Sequence, residues 1–199
     1  MNLKDKVVYH VVLLLPEDIV QLSIDLNKQL IIPEGKEQFY LDLEKRPPHI
    51  TLGIGAVNQK LIDNINDEVG RLTKKYEGIK LTFNSIEGKN MKSAVIGVTE
   101  KLQQFHQDVM SIVNKYKDKD ILQEYFVDGV AEDELVIYTN KFDPEFINKE
   151  YFPHITLGLG EVSSLMDIDF PIIFSPTFLA VGQMGNHGGF LKEFKRFKL

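Results

Sequence analysis

Two histidines and two threonines occupy equivalent positions of a repeated sequence. Residues 48–55 read Pro-His-Ile-Thr-Leu-Gly-Ile-Gly, and residues 153–160 repeat them with a single change of isoleucine to leucine. The 199-residue chain contains only five histidines, so chance is a poor explanation for the repeat. Imidazole titrates near neutral pH, and two imidazoles can therefore act as general base and general acid in one cycle. Two threonine hydroxyls can hydrogen-bond the oxygens of a phosphate. This combination predicts a metal-free site that breaks a phosphodiester.

Each copy of the repeat has the composition of a short β-strand, because it is rich in β-branched and aliphatic residues and is bounded by Pro and Gly. Side chains alternate across a strand, so His49 shares a face with Thr51, and His154 shares the equivalent face with Thr156. A polar face needs polar partners, and we expect both strands to line one site. The alternative, two core strands whose polar residues only satisfy each other, does not explain the repeat. The opposite faces, predicted to pack on helices, comprise Ile50, Leu52 and Ile54 in the first copy and Ile155, Leu157 and Leu159 in the second.

The pattern His-hydrophobic-Thr-hydrophobic, present twice, resembles the defining motif pair of the two-histidine (2H) phosphoesterase superfamily. This group includes the 2′-5′ RNA ligase-like proteins and the 2′,3′-cyclic phosphodiesterases, and the resemblance covers most of the chain. It implies that His49 and His154 are catalytic and that Thr51 and Thr156 bind the phosphate. It also implies an α+β fold with two pseudo-symmetric lobes of antiparallel sheet, flanked by helices, around a central cleft. Neither a metal ion nor a cofactor is expected.

The expected activity is metal-independent hydrolysis of a phosphodiester in a nucleotide or a short oligonucleotide. A 2′,3′-cyclic phosphate, a 2′-5′ linkage, a cyclic oligonucleotide and a small non-nucleotide cyclic phosphate all remain open as substrates. Reversible 2′-5′ RNA ligation or transesterification would use the same four side chains. A module that binds nucleotides or RNA ends without cleaving them belongs to a different class, and the intact histidine pair argues against it because binding needs only the threonines. The two motifs are nearly identical, so they do not distinguish the acid from the base.

Composition and charge limit the class of protein. A hydrophobic share of 43% is ordinary for a globular protein, and we expect residues 1–199 to form one two-lobed, monomeric domain. The net charge of −6 argues against tight binding along a long nucleic acid, which needs a basic face, but not against a small phosphate substrate. The absence of cysteine excludes disulfides and thiolate metal sites. No apolar run approaches the ~20 residues that cross a bilayer, and no signal peptide is indicated, so no membrane partner and a cytoplasmic location are expected.

Contacts outside the motifs are harder to predict. Phe152 lies two residues before the second motif histidine and is a candidate for stacking on a base, although a rim residue of the core is an equal alternative. Arg46 precedes the first motif and is a candidate phosphate contact or a solvated loop charge. His10 in the first predicted strand and His106 in a helix are interpreted as structural. His187 lies in a Gly-rich turn and is interpreted as a solvated side chain.

Helices and strands alternate along the chain, and no linker divides it. Two amphipathic helices are indicated by apolar residues at helical spacing, and a hairpin near the C-terminus is indicated by the turn Gly-Asn-His-Gly-Gly. The predicted helices cover residues 16–30, 58–76, 100–116 and 144–148. The predicted strands outside the motifs cover residues 7–15, 79–87, 93–98, 134–139, 174–184 and 190–197, with loops at 33–46 and 117–120.

Overall fold

The computed structural model of the chain describes residues 5–44, 46–118, 120–127, 129, 131–142, 151–162 and 168–199. In these ranges the strands are β1 Lys6–Leu14, β2 Leu30–Ile31, β3 His49–Asn58, β4 Leu81–Glu87, β5 Met91–Ile96, β6 His154–Leu159, β7 Glu161–Val162, β8 Ile172–Phe174, β9 Phe178–Met184 and β10 Phe190–Lys198. The α-helices are α1 Glu17–Lys28, α2 Ile62–Arg71, α3 Thr73–Tyr76, α4 Glu100–Tyr116 and α5 Asp133–Asn140. Single 3₁₀ turns cover Glu37–Phe39, Gln59–Leu61 and Gln123–Tyr125.

Eight strands form one antiparallel sheet in the order β10-β9-β1-β3-β6-β5-β4-β8. The two motif strands, β3 and β6, are neighbours at its centre and are paired at one position, Ile50 with Ile155. Three strands flank the motif strand on each side, so the sheet has two matching halves. This arrangement confirms the expected α+β fold with two similar lobes. Short strands β2 and β7 form a separate pair.

Each motif strand is covered by a helix from the other half of the sheet. Helix α4, which precedes β6 in the chain, packs on β3, and helix α1, which precedes β3, packs on β6. The buried stripe of α4 contains Phe105, Val109 and Val113 at helical spacing. Thr99 caps this helix, because its hydroxyl accepts the backbone N–H of Leu102. The crossed helices join both halves in one hydrophobic core.

The strand predicted at residues 134–139 is wrong, because this segment lies in helix α5. Its sequence Glu-Leu-Val-Ile-Tyr-Thr is rich in β-branched and aromatic residues, which favours a strand. In the structure Leu135 and Val136 pack against a second buried cluster, and the Thr139 hydroxyl donates to the carbonyl of Leu135. Tertiary packing of one helical face therefore outweighs the local preference.

Several other elements differ in their boundaries, and the largest differences concern one helix and one strand. The single helix predicted at 58–76 is a 3₁₀ turn followed by the two helices α2 and α3. It begins later than predicted because β3 extends to Asn58, whose side chain accepts the N–H of Lys60 in the 3₁₀ turn. The strand predicted at 174–184 overlaps two strands. Its first residue, Phe174, ends β8, which pairs with β4 at one sheet edge, and its later residues form β9, which pairs with β1 in the other half. The short helix predicted at 144–148 lies outside the described residues. Among the described helices, none is long and apolar enough to cross a membrane.

Candidate active site

Both motif strands contain a β-bulge at the same motif position. In β3, Thr51 pairs with Val12 and Gly53 with Val11, so Leu52 is an extra residue. In β6, Thr156 pairs with Ser93 and Gly158 with Lys92, so Leu157 is the extra residue. The duplication therefore extends to the backbone geometry and not only to the sequence.

The bulge reverses the alternation of side chains beyond it. Ile54 was expected on the helix-facing side with Ile50, but it lies in the wall of a cleft on the opposite side of the sheet. Leu159 pairs with Met91, which also lines this cleft, so Leu159 is likewise on the side opposite to the expected one. Both corrections have one cause, since an inserted residue shifts every later side chain to the other face.

The extra residue in each bulge leaves a backbone carbonyl that a buried side chain satisfies. His106 of α4 donates from Nδ1 to the carbonyl oxygen of Leu52, at 2.8 Å. Asn27 of α1 donates from Nδ2 to the carbonyl oxygen of Leu157, at 2.6 Å. A polar residue of each covering helix thus fixes the bulge in the motif strand beneath it, because buried carbonyls need a donor. His106 is therefore structural, as its position suggested.

The first motif is also tied to the segment that leads into the second. The hydroxyl of Tyr151, three residues before His154, donates to the backbone carbonyl of Thr51 at 2.9 Å. The ring of Tyr151 stacks on the imidazole of His106 with a centroid distance of 4.0 Å. These contacts fix the two motifs relative to each other.

The motif glycines allow the helices to approach the bulges closely. A Cβ atom added to Gly53 would lie 2.6 Å from Cγ1 of Val109 in α4. Gly158 has φ +141°, a conformation that side chains other than glycine rarely adopt, and an added Cβ would lie 2.6 Å from Nδ2 of Asn27. The glycine that ends each motif is therefore required by packing.

The polar faces of the two motifs open into a common cleft of about 740 Å³. His49, Thr51, His154 and Thr156 all lie in its wall. The structure thus brings together the four residues that the repeat singled out. The surrounding wall comprises the loop residues Gln38, Phe39 and Leu41, the α5 residues Leu135 and Tyr138, and the turn residues Asn186, His187, Gly188 and Gly189.

Both motif imidazoles have the same hydrogen-bonded orientation. Nδ1 of His49 lies 2.9 Å from the carbonyl oxygen of Pro47, and Nδ1 of His154 lies 2.8 Å from the carbonyl oxygen of Phe152. A carbonyl only accepts hydrogen bonds, so each Nδ1 carries the hydrogen. The Nε2 atom of each ring is then the one that can take or give a proton.

The two imidazoles differ in their electrostatic environment. Burial lowers the pKa of His49 to about 4; its hydrogen bond to Pro47 opposes this effect, and the nearby charge of protonated His154 adds to it. Burial also lowers the pKa of His154, and the hydrogen bond to Phe152 opposes the shift. At pH 7 both rings are therefore predominantly neutral in the unliganded protein.

The two threonines have different surroundings. Thr51 Oγ1 lies 2.9 Å from Nε2 of His10, a completely buried residue of β1. Thr156 is exposed at the equivalent place. His10 was interpreted as a structural residue, and its contact with the site was missed. Alternation along β1 placed His10 on the same side as Val8 and Val12. It did not show that β1 pairs with the first motif strand, which is what brings His10 to Thr51.

The two other candidate residues have different positions. Arg46 lies in the cleft wall, and its Nη1 donates to the backbone carbonyl of Glu37 at 2.7 Å, which holds the guanidinium against the loop. The ring of Phe152 stacks on the His154 imidazole at a centroid distance of 5.3 Å and is 51% exposed, so it lies beside the motif histidine. Their contacts with a substrate stay predictions. Within the described ranges, no group of three or more His, Asp or Glu side chains is arranged to hold a metal ion.

Comparisons with known proteins show similarity in structure only. No protein-family model matches the chain, and no curated protein sequence matches it. Escherichia coli LigT has a TM-score of 0.56 and 16% identity over 98% of both chains. The protein TT0787 of Thermus thermophilus has a TM-score of 0.57 and 14% identity over 96% of this chain and 97% of its own. A structure described as a phosphoesterase has a TM-score of 0.54 and 15% identity over the same shares. These similarities extend over nearly the whole chain and identify its fold as that of LigT, with the two repeated motif strands at its centre.

Proposed function

We propose that the protein is a metal-independent phosphodiesterase of the 2H type that acts on a nucleotide or a short oligonucleotide. The observation that carries this proposal is the convergence of two imidazoles and two threonine hydroxyls, from two copies of one motif, on a single cleft. Each imidazole has its Nδ1 hydrogen committed to a backbone carbonyl, so both Nε2 atoms are available for proton transfer.

The four side chains divide the reaction between them. The hydroxyls of Thr51 and Thr156 donate hydrogen bonds to the non-bridging oxygens of the phosphate, whose charge changes as the bond breaks. Nε2 of one imidazole removes the proton from the attacking water or ribose hydroxyl. Nε2 of the other gives a proton to the leaving oxygen. The rings then exchange protons with solvent and return to their starting states.

The lowered pKa of His49 suggests which histidine has which role. His49 has the pKa of about 4 and stays neutral over most of the working pH range, as a general base must. We therefore assign the base to His49 and the acid to His154. A bound phosphodiester anion next to His154 would favour its protonated form, since an opposite charge raises the pKa of an imidazole.

The size of the cleft and the ligands of structural neighbours support a nucleotide as the substrate. A volume of about 740 Å³ is within the range of small-molecule sites. The aromatic side chains of Phe39 and Tyr138 lie in its wall and offer surfaces on which a base can stack. Crystal structures of E. coli LigT contain NADP+, 3′-AMP, ATP or phosphate. Nucleotides are therefore the first ligands to test on this protein.

A module that binds nucleotides or RNA ends without cleaving them is the alternative from another class, and 2′-5′ ligation is the alternative within enzymes. Two identically oriented imidazoles favour catalysis, because binding alone would not need Nε2 atoms that are free to exchange protons. The test incubates the protein with EDTA and a panel of 2′,3′-cyclic nucleotides, 2′-5′-linked oligoadenylates and cyclic oligonucleotides. Cleavage that survives chelation supports the proposal. Rescue by zinc or manganese would contradict it.

Single substitutions test the histidine roles in the same assay. His49→Ala and His154→Ala are each expected to lower turnover roughly 10²–10⁴-fold. Lys101→Ala, at an exposed position of α4 away from the cleft, is the control and should leave kcat unchanged. If one motif variant kept near wild-type turnover, the paired mechanism would be wrong.

A substrate with an activated leaving group separates the acid from the base. A nucleoside p-nitrophenyl phosphodiester releases p-nitrophenolate, which needs no proton to leave. His154→Ala should therefore recover most of the wild-type rate on this substrate, whereas His49→Ala should remain impaired. The reverse pattern would exchange the two assignments.

The threonine roles are tested by removing only the hydroxyl. Thr51→Val and Thr156→Val keep the β-branched shape but delete the donor, so kcat/KM should fall strongly while thermal stability changes little. Thr→Ser should retain much of the activity. Thr82→Val, on strand β4, is the control for a strand threonine away from the site. Unchanged binding and turnover in the motif variants would make these threonines packing residues.

A further inference from the structure

His10 is a completely buried imidazole that the proposed reaction does not use. It lies on β1, next to the first motif strand, and its Nε2 is 2.9 Å from Thr51 Oγ1. Its ring makes T-shaped contacts with the His49 and Phe190 rings at centroid distances of 5.3 Å and 6.0 Å. Its Nδ1 is buried and makes no hydrogen bond within the described residues. Within the described residues, Thr51 is therefore the hydrogen-bond partner of the His10 ring.

The missing partner at Nδ1 determines which nitrogen carries the hydrogen. Burial and the neighbouring His49 keep the His10 ring neutral by lowering its pKa well below the usual value, so the ring has one N–H. A hydrogen on Nδ1 would bury a donor without an acceptor, whereas a hydrogen on Nε2 leaves only a lone pair unmatched. With the hydrogen on Nε2, the ring donates a hydrogen bond to Thr51 Oγ1. This tautomer has the lower free energy, because it leaves no buried donor without an acceptor.

We propose that His10 is a positioning residue for the first motif, which donates from Nε2 to Thr51 Oγ1 and thereby directs the Thr51 hydroxyl hydrogen toward the substrate phosphate. This inference rests on the proposed phosphate-binding role of Thr51. A hydroxyl that accepts one hydrogen bond becomes a stronger donor in the next, because linked hydrogen bonds polarise each other. Thr156 occupies the equivalent position in the second motif with an exposed side chain. His10 therefore makes the two threonines unequal, with Thr51 the better oriented donor.

Two substitutions separate donation from packing. His10→Gln keeps an N–H donor at about the same distance from the backbone as Nε2 of the histidine. His10→Leu fills similar space without a donor. We expect His10→Leu to lower kcat/KM roughly three- to tenfold, the value of one neutral hydrogen bond, and His10→Gln to retain most of the activity. Thermal unfolding of each variant checks that the fold is intact.

A double-mutant cycle with the two threonines gives the decisive readout. His10→Leu should have no further effect in the Thr51→Val background, because the group it positions is already absent. It should have its full effect in the Thr156→Val background. Equal losses in both backgrounds would make His10 a packing residue and overturn the proposal. The same cycle measured by calorimetric titration of inorganic phosphate gives the answer without turnover.

Nuclear magnetic resonance of ¹⁵N-histidine-labelled protein tests the hydrogen bond directly. The His10 signals, assigned by their loss in His10→Gln, should show the neutral ring with its hydrogen on Nε2. A hydrogen on Nδ1 would overturn the proposal. If the wild-type protein cleaved no phosphodiester, the proposed function would fall, while the tautomer and the phosphate titration would still decide the role of His10.

Discussion

The pH dependence of kcat/KM is the prediction that follows most directly from the site. This parameter reports the free protein, in which burial lowers the pKa of both His49 and His154. Two unperturbed imidazoles would place both limbs of the profile between about pH 5 and 8. The structure predicts a bell-shaped profile of kcat/KM that is shifted as a whole to lower pH. Its acidic limb should lie near the His49 pKa of about 4, and its basic limb should lie below pH 6.5.

The magnitude is set by the fraction of protein in the active protonation state. That state has neutral His49 and protonated His154, and its population falls about tenfold for each pH unit above the pKa of the acid. We therefore expect kcat/KM to decline by roughly two orders of magnitude between pH 6.5 and 8.5. The two apparent pKa values describe the pair of interacting rings, since protonation of one affects the other.

Stability must be followed in the same pH range. The unfolded chain binds protons near pH 6.5 that the folded state excludes from His49, so the free energy of unfolding decreases as pH falls from about 6.5 to 4. For His49 this loss is about 3 kcal/mol at most, and buried His10 contributes in the same direction. Circular dichroism at each pH separates unfolding from titration of the site.

Steady-state assays from pH 3.5 to 9 with a chelator present would record the profile. A flat kcat/KM between pH 7 and 9, in protein shown to be folded, would refute the reasoning, because it would mean that no protonated imidazole is needed. A basic limb above pH 7 would show that burial does not control the pKa of the acid.

The remaining predictions concern contacts of the first motif strand with its neighbours. Gly53→Ala forces a Cβ against Val109 and should lower the free energy of unfolding by about 1–3 kcal/mol in urea denaturation. Gly189→Ala is the control, because an added Cβ there makes ordinary contacts. Equal free-energy losses in the two variants would contradict the packing argument. Tyr151→Phe removes the hydroxyl that donates to the Thr51 carbonyl and should lower the free energy of unfolding by about 0.5–1.5 kcal/mol in the same measurement, together with a fall in kcat/KM. Unchanged kcat/KM in Tyr151→Phe would show that this contact does not orient the motif.

Local sequence patterns correctly predicted the helices and strands whose residue spacing and flanking residues are distinctive on their own. Helix α4 was predicted with its observed bounds, because apolar residues recur at helical spacing between Glu100 and Tyr116. Both motif strands were predicted because alternation and flanking Pro and Gly are local features. The four motif residues were singled out for one site on the same grounds, and the structure places them in one cleft.

Features that depend on a distant partner could not be predicted. A bulge exists only relative to the neighbouring strand, so the reversal at Ile54 and Leu159 had no local signal. The role of His10 depends on β1 lying beside β3, which alternation within β1 does not reveal. Helix α5 was mistaken for a strand because its packing on a buried cluster outweighs its composition.

The central claim is that His49 and His154 act together in one catalytic cycle. It is tested most directly by comparing kcat/KM of His49→Ala, His154→Ala and the double variant on a 2′,3′-cyclic or 2′-5′-linked substrate with EDTA present. Residues that act as a unit are not additive, so the double variant should lose about as much activity as either single variant. If the two losses multiplied in the double variant, the histidines would act independently, and the shared acid–base mechanism would be contradicted.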